Sequence, residues 1–236
     1  VKDLENIKES SSHVDLRDAF IQSAAVETFF LWHKFKKDKE IEKREKNRAD
    51  GIVPGTSVLH DEDEDEANKN KDPQQLLQEK GEIPEEFKRQ MFYTLGDYRD
   101  ICIGKRPDGI DTVSASDKDT MDKIQKKIKE ILPKNGDTVP GQKSVDPRKT
   151  WWQTFGPSIW EGMICALSYD TDKTDDKKIK KNEQVETKLK EKLKKENGEY
   201  HYKNVVLKDE NSGTDGPKST EAPTHLSKFV LRPPYF

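Results

Sequence analysis

Five histidines, two cysteines, one acidic run and two lysine-rich stretches are the places where this chain could do chemistry. The histidines, at positions 13, 33, 60, 201 and 225, share no spacing that would converge on a metal ion or a reacting bond. Cys102 and Cys165 offer one pairing and no C-x-x-C ligand set. A bridge between them would contribute about 4 kcal/mol on the chain-entropy account, and two buried free thiols explain them equally well. The run DEDEDE at 61–66 lacks the alternating ligands and glycine of a calcium loop and reads as a solvated, self-repelling block. Glu85-Glu86 and Asp175-Asp176 suit a helix start and a loop, since a catalytic carboxylate pair needs a cleft around it. No G-x-S-x-G, H-E-x-x-H or glycine-rich phosphate loop is present. These residues point away from an enzyme and call for no cofactor and no metal.

The lysines, KKIKK at 177–181 and KLKEKLKKE at 188–196, are dense enough to meet a sulfated polysaccharide or a phosphate by charge. Interleaved acids make a solvated face the simpler reading. With a formal net charge of -3 the chain has no global field to draw nucleic acid, and exposed stacking aromatics are missing from its basic stretches. No apolar run reaches 18 residues, and the first 16 lack the apolar core of a signal peptide, so no membrane insertion is expected.

Whatever these residues do, a small core must position them. Only 31% of the residues are hydrophobic against 38% charged, so the richest apolar stretch, Trp151 to Leu167, must lie inside. Trp152, Phe155, Ile159, Met163 and Leu167 fall on one helical stripe, and Gly156-Pro157 predicts a break or kink within it. A long helix is expected from Asp15 as N-cap. Leu16, Phe20, Ala24, Leu31 and Phe35 lie on one face, Ile21, Ala25, Phe29 and Trp32 on the next, and a charged extension follows. Phe87, Met91, Leu95, Tyr98 and Cys102 mark a second bundle helix, and Met121, Ile124, Ile128 and Ile131 a third, capped by Ser116. Short helices are expected at 73–80 and 184–196, the latter exposed and ended by Asn197-Gly198. Residues 1–14 read as extended or frayed, 170–182 as a charged loop, and Tyr200, Tyr202 and Val206 as one face of a strand or extended arm. The closing HLSKFVLRPPYF carries apolar residues that need a covering surface. The fold class is all-α, a helix bundle with long irregular insertions.

Four segments then carry a resemblance. SAAVETFFLWHKFKKDKE (23–40), IPEEFKRQMFYTLGDYRDICIG (83–104), TWWQTFGPSIWEGMICALSYD (150–170) and LSKFVLRPPYF (226–236) occur in that order. Together they resemble the homology blocks of Duffy-binding-like domains from the erythrocyte membrane protein 1 adhesins of malaria parasites. FYTLGDYRDI and RPPYF are similar to the non-alpha types. The resemblance implies a single partial domain over 1–236. Its central helical bundle would span about 15–196, with variable insertions at 49–72 and 104–146. An extended segment, 197–236, would lead to a further subdomain, so the chain resembles a central fragment whose C-terminal apolar residues lack their cover and whose stability is marginal.

The resemblance also implies display on the extracellular face of the infected erythrocyte and antigenic variation. The implied partner is a host endothelial or erythrocyte surface receptor, with sulfated glycosaminoglycan as a second partner. The beta types that bind intercellular adhesion molecule carry a receptor motif near this C-terminal stretch. Asn197-Gly198 followed by Tyr200 matches part of it, while a second glycine and a Gly-Pro-Pro segment before His225 are missing. The candidate partner-binding residues are therefore Asn197, Gly198, Tyr200, Tyr202, Lys203 and His225. The competing reading is a non-adhesive intracellular helical scaffold.

Overall fold

The wide apolar face that begins near Leu16 becomes the longest element of the fold. The computed structural model describes residues 2–49, 72–104, 115–132, 146–171, 178–194, 196–207 and 224–231. A short α1 (Lys2–Glu5) leads into α2 (His13–Ala49), followed by α3 (Pro73–Lys80), α4 (Glu85–Ile103), α5 (Ala115–Ile131) and α6 (Pro147–Ala166). Strands β1 (Tyr169–Thr171) and β2 (Ile179–Lys181) precede α7 (Glu183–Lys194), and β3 (Val206–Leu207) and β4 (Thr224–His225) precede α8 (Leu226–Phe229). The protein is predominantly helical, as the apolar spacing requires. Both strand pairs are antiparallel, Tyr169 facing Lys181 and Val206 facing His225. The acidic run 61–66 and the glycine- and proline-rich linkers lie outside the described residues.

The core is built where α2, α4 and α6 meet, with the α2–α6 contact the most extensive. Phe20 of α2 packs on Trp151 (5.3 Å) and Trp152 (6.3 Å) of α6 and edge-on to Tyr98 of α4 (6.1 Å). Further along, Trp32 meets Phe87 at 4.9 Å, and Phe92 meets Trp160 at 5.7 Å. Each such side chain contributes roughly 2–3 kcal/mol by leaving water, and together they compensate for the chain's low apolar content. Ile124, Ile128 and Ile131 bury the inner face of α5 against this core, as the third apolar stripe predicts.

Several local expectations are corrected. Asp15 is not the N-cap of α2. Ser12 holds that place, its hydroxyl accepting the Asp15 amide (3.1 Å) while the Asp15 carboxylate accepts the Ser12 amide (2.7 Å). This reciprocal capping box holds the Asp15 carboxyl below its ordinary pKa, chiefly through the backbone bond. Helix α6 runs unbroken through Pro157. The ring removes the bond that would end on the Gln153 carbonyl, and because Gln153 is exposed, water can replace it. Residues 1–14 are not all extended, for α1 seals the bundle with the buried Leu4, and Ile7 follows it into the core. The charged loop after Tyr169 contains the β1–β2 pair. Three of the C-terminal apolar residues find cover, while Leu231 is exposed. Leu226 and Val230 are buried, and the Phe229 ring packs on Phe92 (5.6 Å) and Tyr93 (5.1 Å) of α4.

Candidate functional site

Residues 196–207 and 224–226 form one corner of the fold, and Tyr200 fixes it there. Tyr200 was expected on an extended arm. Instead it is 1% exposed, and its hydroxyl accepts the Ile83 amide at 2.9 Å and donates to the Gly81 carbonyl at 3.1 Å. Trp160 Nε1 donates to the Tyr200 carbonyl at 2.8 Å, and the Tyr200 amide donates to the Lys192 carbonyl at 3.1 Å. One residue thus ties the α3–α4 connection, α6 and the end of α7 together. Burial holds its phenol well above the ordinary tyrosine pKa.

Around this anchor the chain turns tightly, with the His201 amide donating to the Gly198 carbonyl and the Asn204 and Val205 amides to the His201 carbonyl. The Leu226 amide donates to the Val205 carbonyl at 3.0 Å, which brings His225 beside the turn. Of the six candidate residues, Asn197 and Lys203 are exposed, Tyr202 and His225 half-buried, and Gly198 and Tyr200 buried. Tyr200 and Gly198 therefore shape the surface, and the other four are the ones a partner could touch. Half-exposed His201 and Asn204 belong to the same surface and were missed, because no spacing rule marks a turn held by tertiary bonds.

The lysines are largely committed inside the fold. Lys181 and Lys190 both bind Glu186, at 2.7 and 2.5 Å, and Lys192 binds Glu199 at 3.0 Å. The hydrogen bond from Lys181 leads in holding the Glu186 carboxyl below its ordinary pKa. Lys188 donates to the Gln78 and Glu79 carbonyls, neutralising the C-terminal end of α3. A glycan approaching α7 would compete with these partners.

The two thiols are free, and the Cys102–Cys165 pairing is corrected by their placement. Cys102 Sγ lies 3.8 Å from the Arg148 carbonyl, in the first turn of α6. Cys165 sits in the last turn of the same helix, roughly 25 Å further on at the helical rise, far beyond disulfide reach. Burial pushes the Cys102 thiol up to about 12, whereas Cys165 is half-buried on the wall of a cleft of about 320 Å³ between α6 and α7. A native thiol titration at mildly alkaline pH should therefore show one fast-reacting cysteine, Cys165, with Cys102 modified only after denaturant is added. Two equally fast thiols would contradict this burial.

Among the described residues no group of three or more histidine, cysteine or acidic side chains could hold a metal ion, and no helix is long and apolar enough to cross a membrane. Comparison with curated proteins and with solved structures returned no match. The family model described as the Duffy binding domain matches residues 1–200, from α1 to the Tyr200 anchor. That span contains the whole α2–α4–α6 core, and the chain belongs to the Duffy binding domain family.

Proposed function

We propose that this chain is a receptor-binding adhesion domain of the erythrocyte membrane protein 1 type, forming the central part of one Duffy-binding-like domain. In this reading it is displayed on the extracellular face of a parasite-infected erythrocyte and mediates cytoadherence and antigenic variation. The observation that carries it is the family match over 1–200, since Duffy binding domains are adhesion modules rather than enzymes. The four sequence blocks of the erythrocyte membrane protein 1 resemblance favour the finer assignment.

The proposed contact surface is the corner around Tyr200, where Asn197 and Lys203 offer an exposed amide and ammonium, flanked by the half-buried Tyr202 and by His225 of β4. A host receptor protein suits this mixture better than a sulfated glycan does, because the nearby α7 lysines already have anionic partners. The test is binding of the folded chain to a panel of host endothelial and erythrocyte receptors and sulfated glycans. Lys203→Glu and Asn197→Ala should weaken the positive interaction about tenfold or more while leaving the melting temperature unchanged, because both side chains are exposed. Absence of binding across the panel, or binding indifferent to both variants, overturns the proposed surface.

The two free thiols favour one other reading, a non-adhesive intracellular helical scaffold. Mass spectrometry of Cys165 in protein taken from its native location separates the two. A mixed disulfide supports surface display, and a thiol supports the scaffold.

A further inference from the structure

The charges of α2 are sorted around a line of bare apolar side chains. Val26 is 52% exposed, Phe30 62% and Ile41 52%, in a chain that is only 31% hydrophobic. At 100° per residue these three share a sector of about 80° with Lys34, Lys37 and Arg48, all exposed. Between positions 26 and 48 no acid falls in that sector. Eight lysines and arginines against five acids give this stretch a formal +3, in a chain whose net charge is -3. The acids border the sector instead. Asp38 lies on one side, 3.7 Å from Lys34, and Glu40 on the other, 2.7 Å from Arg44. Lys37, in the middle, makes no ion pair among the described residues.

This sorting discriminates among occupants. A second copy of the same ridge would set cations against cations. A flat anionic bilayer would press its headgroups on the bordering carboxylates before Phe30 reached the acyl chains. A sulfated glycan would meet the lysines and leave three apolar side chains in water. What satisfies both features, and fits between the bordering acids, is an occupant one helix wide that carries carboxylates beside an apolar stripe. We infer that this ridge of α2 is a docking surface for an acidic amphipathic helix of a partner protein, laid along the ~22 Å from Val26 to Ile41. Val26, Phe30 and Ile41 take its apolar stripe, at intervals of about one and three turns, and Lys34, Lys37 and Arg48 take its acids. The ridge uses none of the residues of the Tyr200 corner. Three apolar anchors cover less than the ~800 Å² per partner of a standard stable interface, so the complex is weak and exchanges fast.

Fluorescence anisotropy with the full chain tests it. The probe is a labelled helical peptide of about 16 residues, long enough to span the ridge, with leucines on one stripe and glutamates on both flanks. Its scrambled isomer, a version with lysine for glutamate, vesicles of phosphatidylserine and phosphatidylcholine, and heparin are the comparisons. The chain should bind the acidic peptide about tenfold or more tightly than the scrambled and lysine versions. Phe30→Asp and Lys37→Glu should each weaken that binding about tenfold. Both side chains are exposed, so circular dichroism should show both variants folded. Lys203→Glu should leave peptide binding unchanged, so this test succeeds or fails independently of the receptor panel. Equal binding of the scrambled isomer overturns the inference, because the ridge would then be only a diffuse cationic field. Peptide binding indifferent to Phe30→Asp also overturns it. So does binding to the vesicles or heparin, lost in Lys37→Glu, without binding to the acidic peptide.

Discussion

Replacing Tyr200 by phenylalanine should cost about 2 kcal/mol of stability and lower the melting temperature by roughly 6 °C, although only one oxygen is removed. That oxygen serves two buried backbone groups at once, the Ile83 amide and the Gly81 carbonyl. Without it both are left without a partner in a place that water does not reach, and an orphaned buried group costs more than the average hydrogen bond contributes. Tyr200→Ala also empties the aromatic site and should cost about 4–5 kcal/mol, a large share of a total stability of about 5–15 kcal/mol. Denaturant unfolding measures both variants, and hydrogen exchange of the Ile83 amide isolates the local effect. A Tyr200→Phe protein that melts with the wild type would show that the clasp is not made in solution.

The same burial fixes how alkali acts on the fold. Tyr200 and Tyr98 both have phenols held well above their ordinary pKa by burial, and Tyr98 donates to Glu27 at 2.8 Å. Cys102 is pushed up to about 12 in the same way. For each group the unfolded chain ionises first. The stability they confer is complete below their unfolded values, about 8.5 for the thiol and 10 for the phenols, and is lost progressively as pH rises above them. Alkaline unfolding should therefore begin near the lower of these, and tyrosinate absorbance from the two buried phenols should emerge together with loss of helix.

The bundle was legible in the sequence because it depends on periodicity. The stripes through Phe20, Phe87 and Trp152 each require one buried helix face, and no other packing of so few apolar residues would hide them. What escaped notice depends on contacts distant in the chain. Tyr200 alternates with Tyr202 as a strand residue would, yet its partners are Gly81, Ile83 and Trp160. Leu4 and Ile7 lack a period long enough to announce α1, and they are ordered by the groove that α2 and α5 present to them. Whether Cys102 pairs with Cys165 stayed open for a related reason. Both lie on apolar faces, but the axial distance between them along α6 is invisible until Arg148 is seen beside Cys102. The candidate surface was placed by a motif, whereas its division into a buried anchor and exposed side chains is decided by tertiary hydrogen bonds.

Gly162 is where the closeness of α2 and α6 can be measured. A Cβ placed there would lie 2.7 Å from Ile21 Cγ2, closer than packed carbons approach, with the Ile21 carbonyl 3.6 Å away. Glycine inside a helix costs about 1 kcal/mol relative to alanine, so its presence is explained by this contact rather than by helix preference. Ile21 is β-branched and stiff at χ1 in a helix, which leaves the two backbones to separate if a methyl group is added. Overpacking of this kind typically costs 1–3 kcal/mol, so Gly162→Ala should be destabilising by about 1 kcal/mol net, even after the helix gain of about 1 kcal/mol. Ile21→Ala removes the obstructing methyl, and in that background Gly162→Ala should become stabilising, with only the helix gain remaining. The sign reversal is a coupling of about 2 kcal/mol in a double-mutant cycle and is read by denaturant unfolding of four proteins. Additivity within about 0.5 kcal/mol would mean that the helices are not in contact at Gly162, and that the axis on which the core is built passes elsewhere.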